Sequence, residues 1–176
     1  MDSAMQQILI KLLAQEQPQT VAAYWPYDGE PDLLPTLKSL PETGITVVLP
    51  VTQPSAKIPT MVFRQWSPAT EMKNSRFGIP QPVGTSEVLL RDIDMVLMPL
   101  VAWDESGGRI GMGGGFYDRA LQAFSQAKLP LRVGVGYQLQ KVPRFATGPW
   151  DVYLHLVLTE SGLFNPDTRH EKQRKL

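Results

Sequence analysis

The sequence predicts an α/β domain with a mainly parallel sheet flanked by helices. Three observations carry this. The runs "TVAAYW" (20–25), "ITVVLP" (45–50) and "DIDMVLMP" (92–99) are continuously apolar, the pattern of strands covered on both faces. Segments of helical spacing alternate with them. Most of the 14 glycines and 16 prolines fall between these segments and punctuate them as turns. A chain of 176 residues corresponds to one domain, here 1–176.

Taken in order, Ser3 is positioned to cap a helix whose apolar residues Met5, Ile8, Leu9, Leu12 and Leu13 share one face. Pro18 ends it, and 20–25 is a buried strand. After the turn "PYDGEP", Asp32 caps a short helix reaching Leu40, with Pro35 in its first turn. Residues 45–50 form the second strand, and the alternating "TMVFRQW" (60–66) the third. Two prolines and two glycines exclude regular structure from "NSRFGIPQPVG" (74–84). The strand 92–99 leads into a glycine stretch. A helix follows over 116–127, with Tyr117, Ala120, Leu121 and Phe124 on its apolar face. "LRVGVGY" (131–137) and "LHLVLTE" (154–160) close the sheet, and the basic end "RHEKQRKL" frays.

Composition narrows the function. The apolar fraction of 43% supplies a core, and the zero formal charge gives no electrostatic reason to bind nucleic acid or a membrane. No run of about 18 apolar residues is present. The absence of cysteine excludes disulfides and thiolate metal sites and fits a reducing compartment, so a cytoplasmic location is expected. The N-terminus has no signal-peptide pattern.

"GGRIGMGGGFYDRAL" (107–121) is the densest motif. It is no spacer, because an aromatic pair and a helical pattern follow the glycines. A P-loop needs a Gly-Lys pair, and none exists. The dinucleotide fingerprint fails because Phe116 stands where its third glycine belongs. Two readings of the residues remain: a glycine-rich turn, or an anion cradle at a strand's C-terminal end. For the cradle, backbone N–H groups, a helix N-terminus and the Arg109 fork would face phosphate. Asp118 is either an ordinary first-turn residue or a holder of nucleotide-borne magnesium.

This stretch resembles the signature of the 5-formyltetrahydrofolate cyclo-ligase family, G-x-R-L-G-x-G-x-G-[YF]-Y-D-x-x-L. "DIDMVLMPLVAWDESGGR", "FGIPQP", "AAYWPYDGEPD" and "RVGVGYQLQKVPRFATGPWDVYLHLVLTE" resemble the family's other ordered segments, so the likeness spans about 20 to 163. The resemblance implies a fold like that of sugar-phosphate isomerases and CoA transferases. It implies ATP- and magnesium-dependent closure of 5-formyltetrahydrofolate to 5,10-methenyltetrahydrofolate, with ADP and phosphate released. By the same resemblance, Arg109, Ile110, Gly111, Met112, Gly113, Gly114, Gly115, Phe116 and Tyr117 form the ATP loop. Arg109, Tyr117 and Asp118 would be catalytic, and Asp118 and Asp151 would hold magnesium. Trp25, Glu30, Phe77, Gly115, Phe116 and Tyr117 would line the folate site, with Glu30 accepting the pterin's paired N–H groups. The partners implied are ATP and 5-formyltetrahydrofolate, taken up by a monomer. His155 is expected to be structural, and His170 lies in the tail.

Some positions depart from the family pattern. Family members carry K-x-x-x-R on the first helix; here residues 1–19 form a shortened helix with Lys11 as its one basic residue. Met112 and Gly114 stand where basic residues are frequent, Leu33 replaces a frequent Thr, and Trp103 replaces Phe. Charge-assisted phosphate contacts are therefore fewer. Arg132, Arg144 or the basic polar tail 164–176 would have to replace them. The alternative is a non-catalytic homologue that binds folate or nucleotide without turnover.

Overall fold

The computed structural model describes residues 1–53, 60–125, 127 and 130–166. His170 and the rest of the tail from 167 on lie outside the described residues, as do 126 and 128–129 of the expected helix.

In chain order the elements are α1 (Asp2–Glu16), β1 (Thr20–Ala22), α2 (Leu34–Ser39), β2 (Thr46–Gln53), β3 (Thr60–Trp66), β4 (Met72–Asn74), β5 (Pro80–Pro82), β6 (Glu87–Val88), β7 (Met95–Pro99), β8 (Ala102–Trp103), β9 (Arg109–Ile110), α3 (Phe116–Leu121), β10 (Leu131–Val135), β11 (Leu156–Thr159) and β12 (Gly162–Phe164). The main sheet runs β12-β11-β10-β7-β1-β2-β3-β6. Its interior pairs, from β11 across to β2, are all parallel, and the outer pairs are antiparallel. The expected α/β sheet is therefore present.

The chain winds from β1 to β2 in one direction and through β7, β10 and β11 in the other. The reversal falls between β1 and β7, which pair at Val21–Met95. At such a switch point the loops leaving adjacent strands part and open a crevice at the C-terminal ends.

Strand alternation sorts the core into two layers. Val21, Val47, Leu49, Met95, Leu97 and Val133 face α1, which buries Met5, Leu9, Leu12 and Leu13 against them. Ala22, Val48, Val96 and Met98 face the other way, toward Leu121, Trp103, Val152 and Leu154. A one-residue slip in any interior strand would exchange these layers, so register is tightly specified.

Several boundaries differ from the sequence reading, each for a local reason. α1 starts at Asp2 with Met1 as its cap, so Ser3 lies inside the helix. The Asp32 carboxylate accepts the Leu34 N–H at 2.9 Å and starts α2 as expected. Segment 74–84 is not irregular: β4 and β5 form a hairpin in which Pro80 pairs with Asn74 and Pro82 with Met72. The prolines are tolerated because this two-stranded ribbon has no central strand that needs their missing N–H. The strand expected from 92 begins at Met95, because Leu90–Asp92 is a 3-10 turn. Asp94 then binds the Gln19 and Thr20 amides at 2.9 Å each and anchors the start of β1.

α3 ends at Leu121 rather than continuing to 127 and passes into a 3-10 turn, Gln122–Phe124. The buried Arg132 of β10 accounts for this. Its guanidinium donates to the carbonyls of Phe124 (2.9 Å), Ser125 (3.1 Å), Ala127 (3.2 Å) and Tyr153 (2.7 Å). It satisfies carbonyls that the end of the helical turn leaves open, drawing this segment onto β10. Arg132 is thus a buried tie between α3 and the segment before β11, which corrects the expectation that it faces ATP. His155 completes the tie: its Nδ1 accepts the Arg132 backbone N–H at 3.1 Å. Burial, assisted by the Arg132 charge, lowers its pKa to about 4, so it is a neutral structural group near pH 7.

Replacing Arg132 by Met should therefore strand several buried carbonyls and cost roughly 2–4 kcal/mol. The measurement is a urea midpoint, with an unchanged slope as the sign that only stability has moved. A change below about 0.5 kcal/mol would show the tie to be dispensable.

Candidate functional site

After β7 the chain crosses the crevice and folds back as the β8–β9 hairpin, in which Trp103 pairs with Arg109. Sequence reasoning missed this hairpin, because strands of two residues leave no periodic pattern. It places the Arg109 side chain beneath the glycine stretch, where only 5% of it is exposed.

Arg109 Nη2 donates to Asp118 Oδ2 at 3.0 Å, and the guanidinium carbon lies 5.6 Å from the centre of the Tyr117 ring. The other Asp118 oxygen, Oδ1, accepts the Val152 N–H at 3.1 Å. One carboxylate therefore joins the glycine loop, the hairpin and the segment carrying Asp151. Arg109 Nε is buried with no hydrogen-bond partner among the described residues. Asp151 Oδ2 accepts the Gly148 N–H at 2.7 Å and shapes the turn next to Val152.

The glycines serve this arrangement in particular ways. A Cβ on Gly111 would come within 2.6 Å of Arg109 Nη1, so the bare backbone makes room for the guanidinium. Gly115 takes a left-handed φ of 60° as the cap of α3. Met112, Gly113 and Gly114 are exposed at the crown, Ile110 points outward, and none of the amides from Gly111 to Gly115 donates to an acceptor among the described residues. α3 has only six residues, so its dipole is a smaller contributor than the sequence suggested; the loop amides and Arg109 are the donors at hand.

Across the crevice, Glu30 ends the turn after β1. Its Oε2 accepts the Tyr27 N–H at 3.1 Å. Burial raises its pKa to about 7, against that hydrogen bond and with help from Asp28. The Tyr117 hydroxyl is pushed far up by burial, eased by Arg109 and raised again by Glu30, so these three groups share one field. Tyr24, buried beside them, donates its hydroxyl to Pro31 O at 2.8 Å. Phe77, from the β4–β5 turn, meets Phe116 edge to face with ring centres 6.3 Å apart. Trp25 packs edge to face on Trp66 at 6.2 Å, which holds it in the wall below Glu30's turn.

The residues expected on the ATP side thus converge through Asp118. Glu30 and Tyr117 are linked electrostatically, and Phe77 and Phe116 meet in a pair. Arg119, not singled out from sequence, lies over Phe116 at 5.3 Å and donates to Gly114 O at 2.7 Å, so it braces the loop crown.

The family model described as the 5-formyltetrahydrofolate cyclo-ligase family matches residues 1–160. A 5-formyltetrahydrofolate cyclo-ligase of Haemophilus influenzae is 39% identical over 159 residues, covering 89% of this chain and 84% of that protein. One from Escherichia coli K12 is 38% identical over 144 residues, covering 81% and 78%. Among solved structures, the 5,10-methenyltetrahydrofolate synthetase of Aquifex aeolicus superposes with a TM-score of 0.75 at 30% identity, covering 96% of this chain and 81% of that one. That of Mycoplasma pneumoniae gives 0.70 at 25%, covering 89% and 83%.

The raised pKa of Glu30 has a stability consequence. Between the unfolded value of 4.5 and about 7, the folded protein binds more protons at this site than the unfolded chain. Its contribution is present below the lower value and is lost as pH rises through the upper one. Glu30→Gln, which keeps an acceptor for Tyr27, should match wild type in melting temperature near pH 4.5 and exceed it increasingly toward pH 8. Parallel melting curves across that range would contradict the burial of this carboxyl.

Proposed function

As the chain belongs to the 5-formyltetrahydrofolate cyclo-ligase family, we propose that it couples cleavage of ATP to ring closure of 5-formyltetrahydrofolate. In this reading the formyl oxygen attacks the γ-phosphorus of ATP and ADP leaves. N10 of the folate then attacks the activated formyl carbon, and loss of phosphate gives 5,10-methenyltetrahydrofolate. Phosphoryl transfer of this kind needs in-line placement and charge stabilisation rather than a protein nucleophile.

The observation that carries the reading is the Arg109–Asp118–Val152 array under an exposed run of unpaired loop amides. Arg109 keeps a buried, unpartnered Nε, and the loop offers N–H groups at the place expected for phosphate oxygens. Glu30, with a pKa of about 7, can accept from a pterin amino group when ionised and donate to a pterin ring nitrogen when protonated. Tyr117 keeps its proton and is a hydrogen-bond donor. The Phe77–Phe116 pair would give the pterin an apolar wall, and Trp25, packed on Trp66, would add to it.

Magnesium would be held by Asp118 and Asp151. These residues fit it: each Asp118 oxygen has one protein donor and a spare lone pair, and Asp151 adjoins the residue whose amide binds Asp118. No group of three metal-binding side chains exists among the described residues. That suits an ion that keeps water and phosphate ligands and needs few carboxylates. When bound, it would neutralise charge on the transferred phosphoryl group.

The non-catalytic alternative has one observation in its favour. The α1 N-terminus lies at the C-terminal end of β10, where the Tyr137 hydroxyl donates to Asp2 at 2.9 Å. The residue at this end is thus acidic, and Lys11 lies about 14 Å further down the helix by its rise per residue.

Purified protein with MgATP and 5-formyltetrahydrofolate should develop methenyl absorbance near the ultraviolet–visible border; folate binding with no turnover would support the alternative. Asp118→Asn should lower kcat by about 10²–10³-fold in that assay, since it disturbs both Arg109 and the metal position. Phe77→Ala should raise the KM for the folate about tenfold with little change in kcat, as expected for lost ring packing.

A further inference from the structure

The β8–β9 turn contains a carboxylate that the roles above leave unused. Asp104 is fully buried. Its Oδ1 accepts the Ser106 N–H (2.9 Å), the Ser106 hydroxyl (2.7 Å) and the Gly108 N–H (3.0 Å). Its Oδ2 accepts the Phe145 N–H at 3.2 Å, from a segment some forty positions on. Burial of a carboxylate is costly unless its lone pairs are filled, and here backbone amides and one hydroxyl fill them.

We propose that Asp104 is the positioning residue for the phosphate side of the site, setting Arg109 against the loop that carries Asp151. This rests on the ATP-dependent reading above. Asp104 holds the amide of Gly108, directly before Arg109. It also holds Phe145, on the segment that runs through Gly148 and Asp151 to Val152. Those two segments meet again at the Asp118 carboxylate, through Arg109 and the Val152 amide. Asp104 therefore closes the ring from behind, and Asp118 closes it from the front.

The backbone around it is built for close approach. A Cβ on Gly108 would lie 3.0 and 3.1 Å from the two Asp104 oxygens and 3.1 Å from the Phe145 ring. One position earlier, Gly107 accepts the Leu154 N–H at 2.9 Å, fastening the same turn to the segment before β11. Lys141, next to this layer, pairs with Glu105 at 2.7 Å and adds an outer strap. By contrast, Glu30 and Phe77 sit on the β1 and β4–β5 turns, which Asp104 does not touch. Loosening it should therefore act on the nucleotide rather than the folate.

The test is Asp104→Asn, read by steady-state kinetics and amide hydrogen exchange. Because a misplacement of about 1 Å can cost 10²-fold, the KM for MgATP should rise at least tenfold while the folate KM stays within about twofold. Exchange at the Gly108 and Phe145 amides should quicken. Equal losses toward both substrates, or unchanged constants in folded protein, overturn the proposal. If Asp104→Asn does not fold, Ser106→Ala and Gly108→Ala decide. Ser106→Ala removes one hydrogen bond and Gly108→Ala crowds both Asp104 oxygens and the Phe145 ring; each should raise the MgATP KM about threefold or more without the folate KM following, by the same misplacement argument. No rise in either variant overturns the proposal. A wild-type protein without turnover sinks the proposed activity alone; nucleotide affinity by equilibrium dialysis then replaces KM, with the same two outcomes.

Discussion

The carboxylate of Asp118 is the point at which three separately folded segments are joined. It neutralises Arg109, brought in by the β8–β9 hairpin, and it receives the amide of Val152, from the loop before β11. Without it, a guanidinium that is almost fully buried would stand unpaired next to Tyr117, a costly state in low dielectric. The pairing also sets a charge balance. Asp118 holds one end of the Arg109 fork, so the guanidinium is oriented before any anion would arrive. Orientation of that kind is what electrostatic catalysis requires, because no reorganisation remains for the reacting state.

The sheet explains why these segments can meet. Winding reverses between β1 and β7, so the Glu30 turn leaves to one side and the hairpin to the other. The two-layer alternation then locks each strand's end in place. Met95 and Leu97 are committed to the α1 face, and Val96 and Met98 to the face that receives Leu121 and Val152. A register error would carry Arg109 and Glu30 away from the crevice along with the core. Site precision is therefore inherited from ordinary hydrophobic packing, with Arg132 and Asp104 as its polar fasteners.

How much of this was legible beforehand depends on the range of the interaction. Buried strands and α1 were readable because their signal is periodic and local. The glycine loop, Glu30 and Phe77 were readable as a motif set, and the structure brings Arg109, Tyr117 and Asp118 together as that set implied. Other features were hidden for a common reason. Arg132 looked like a free cation near the site, and only the carbonyls of Phe124, Ser125, Ala127 and Tyr153 reveal its use. Asp104 looked like one Asp in a loop, since its partner Phe145 is distant in sequence. The β4–β5 hairpin broke a propensity rule because the rule describes central strands, and this ribbon stands outside the main sheet.

The first helix raises a question of electrostatics that the rest of the site answers. Its N-terminus reaches the strand ends, yet the side chain fixed there is that of Asp2, held by the Tyr137 hydroxyl, and no Lys or Arg precedes Lys11. A triphosphate approaching this edge would meet the Asp2 carboxylate rather than a basic arm. In the proposed reading, what would attract it is Arg109, the amides of Gly111 to Gly115, which have no acceptor among the described residues, and any ion held by Asp118 and Asp151. Amides facing phosphate oxygens make charge-assisted hydrogen bonds but, unlike lysines, bring no net charge of their own. Their number and fixed direction must then do what charge would otherwise do. This places unusual demand on the geometry of the loop, and it makes the carboxylates that hold the loop, Asp118 and Asp104, matter more here than in a site where loose basic side chains could follow the phosphate.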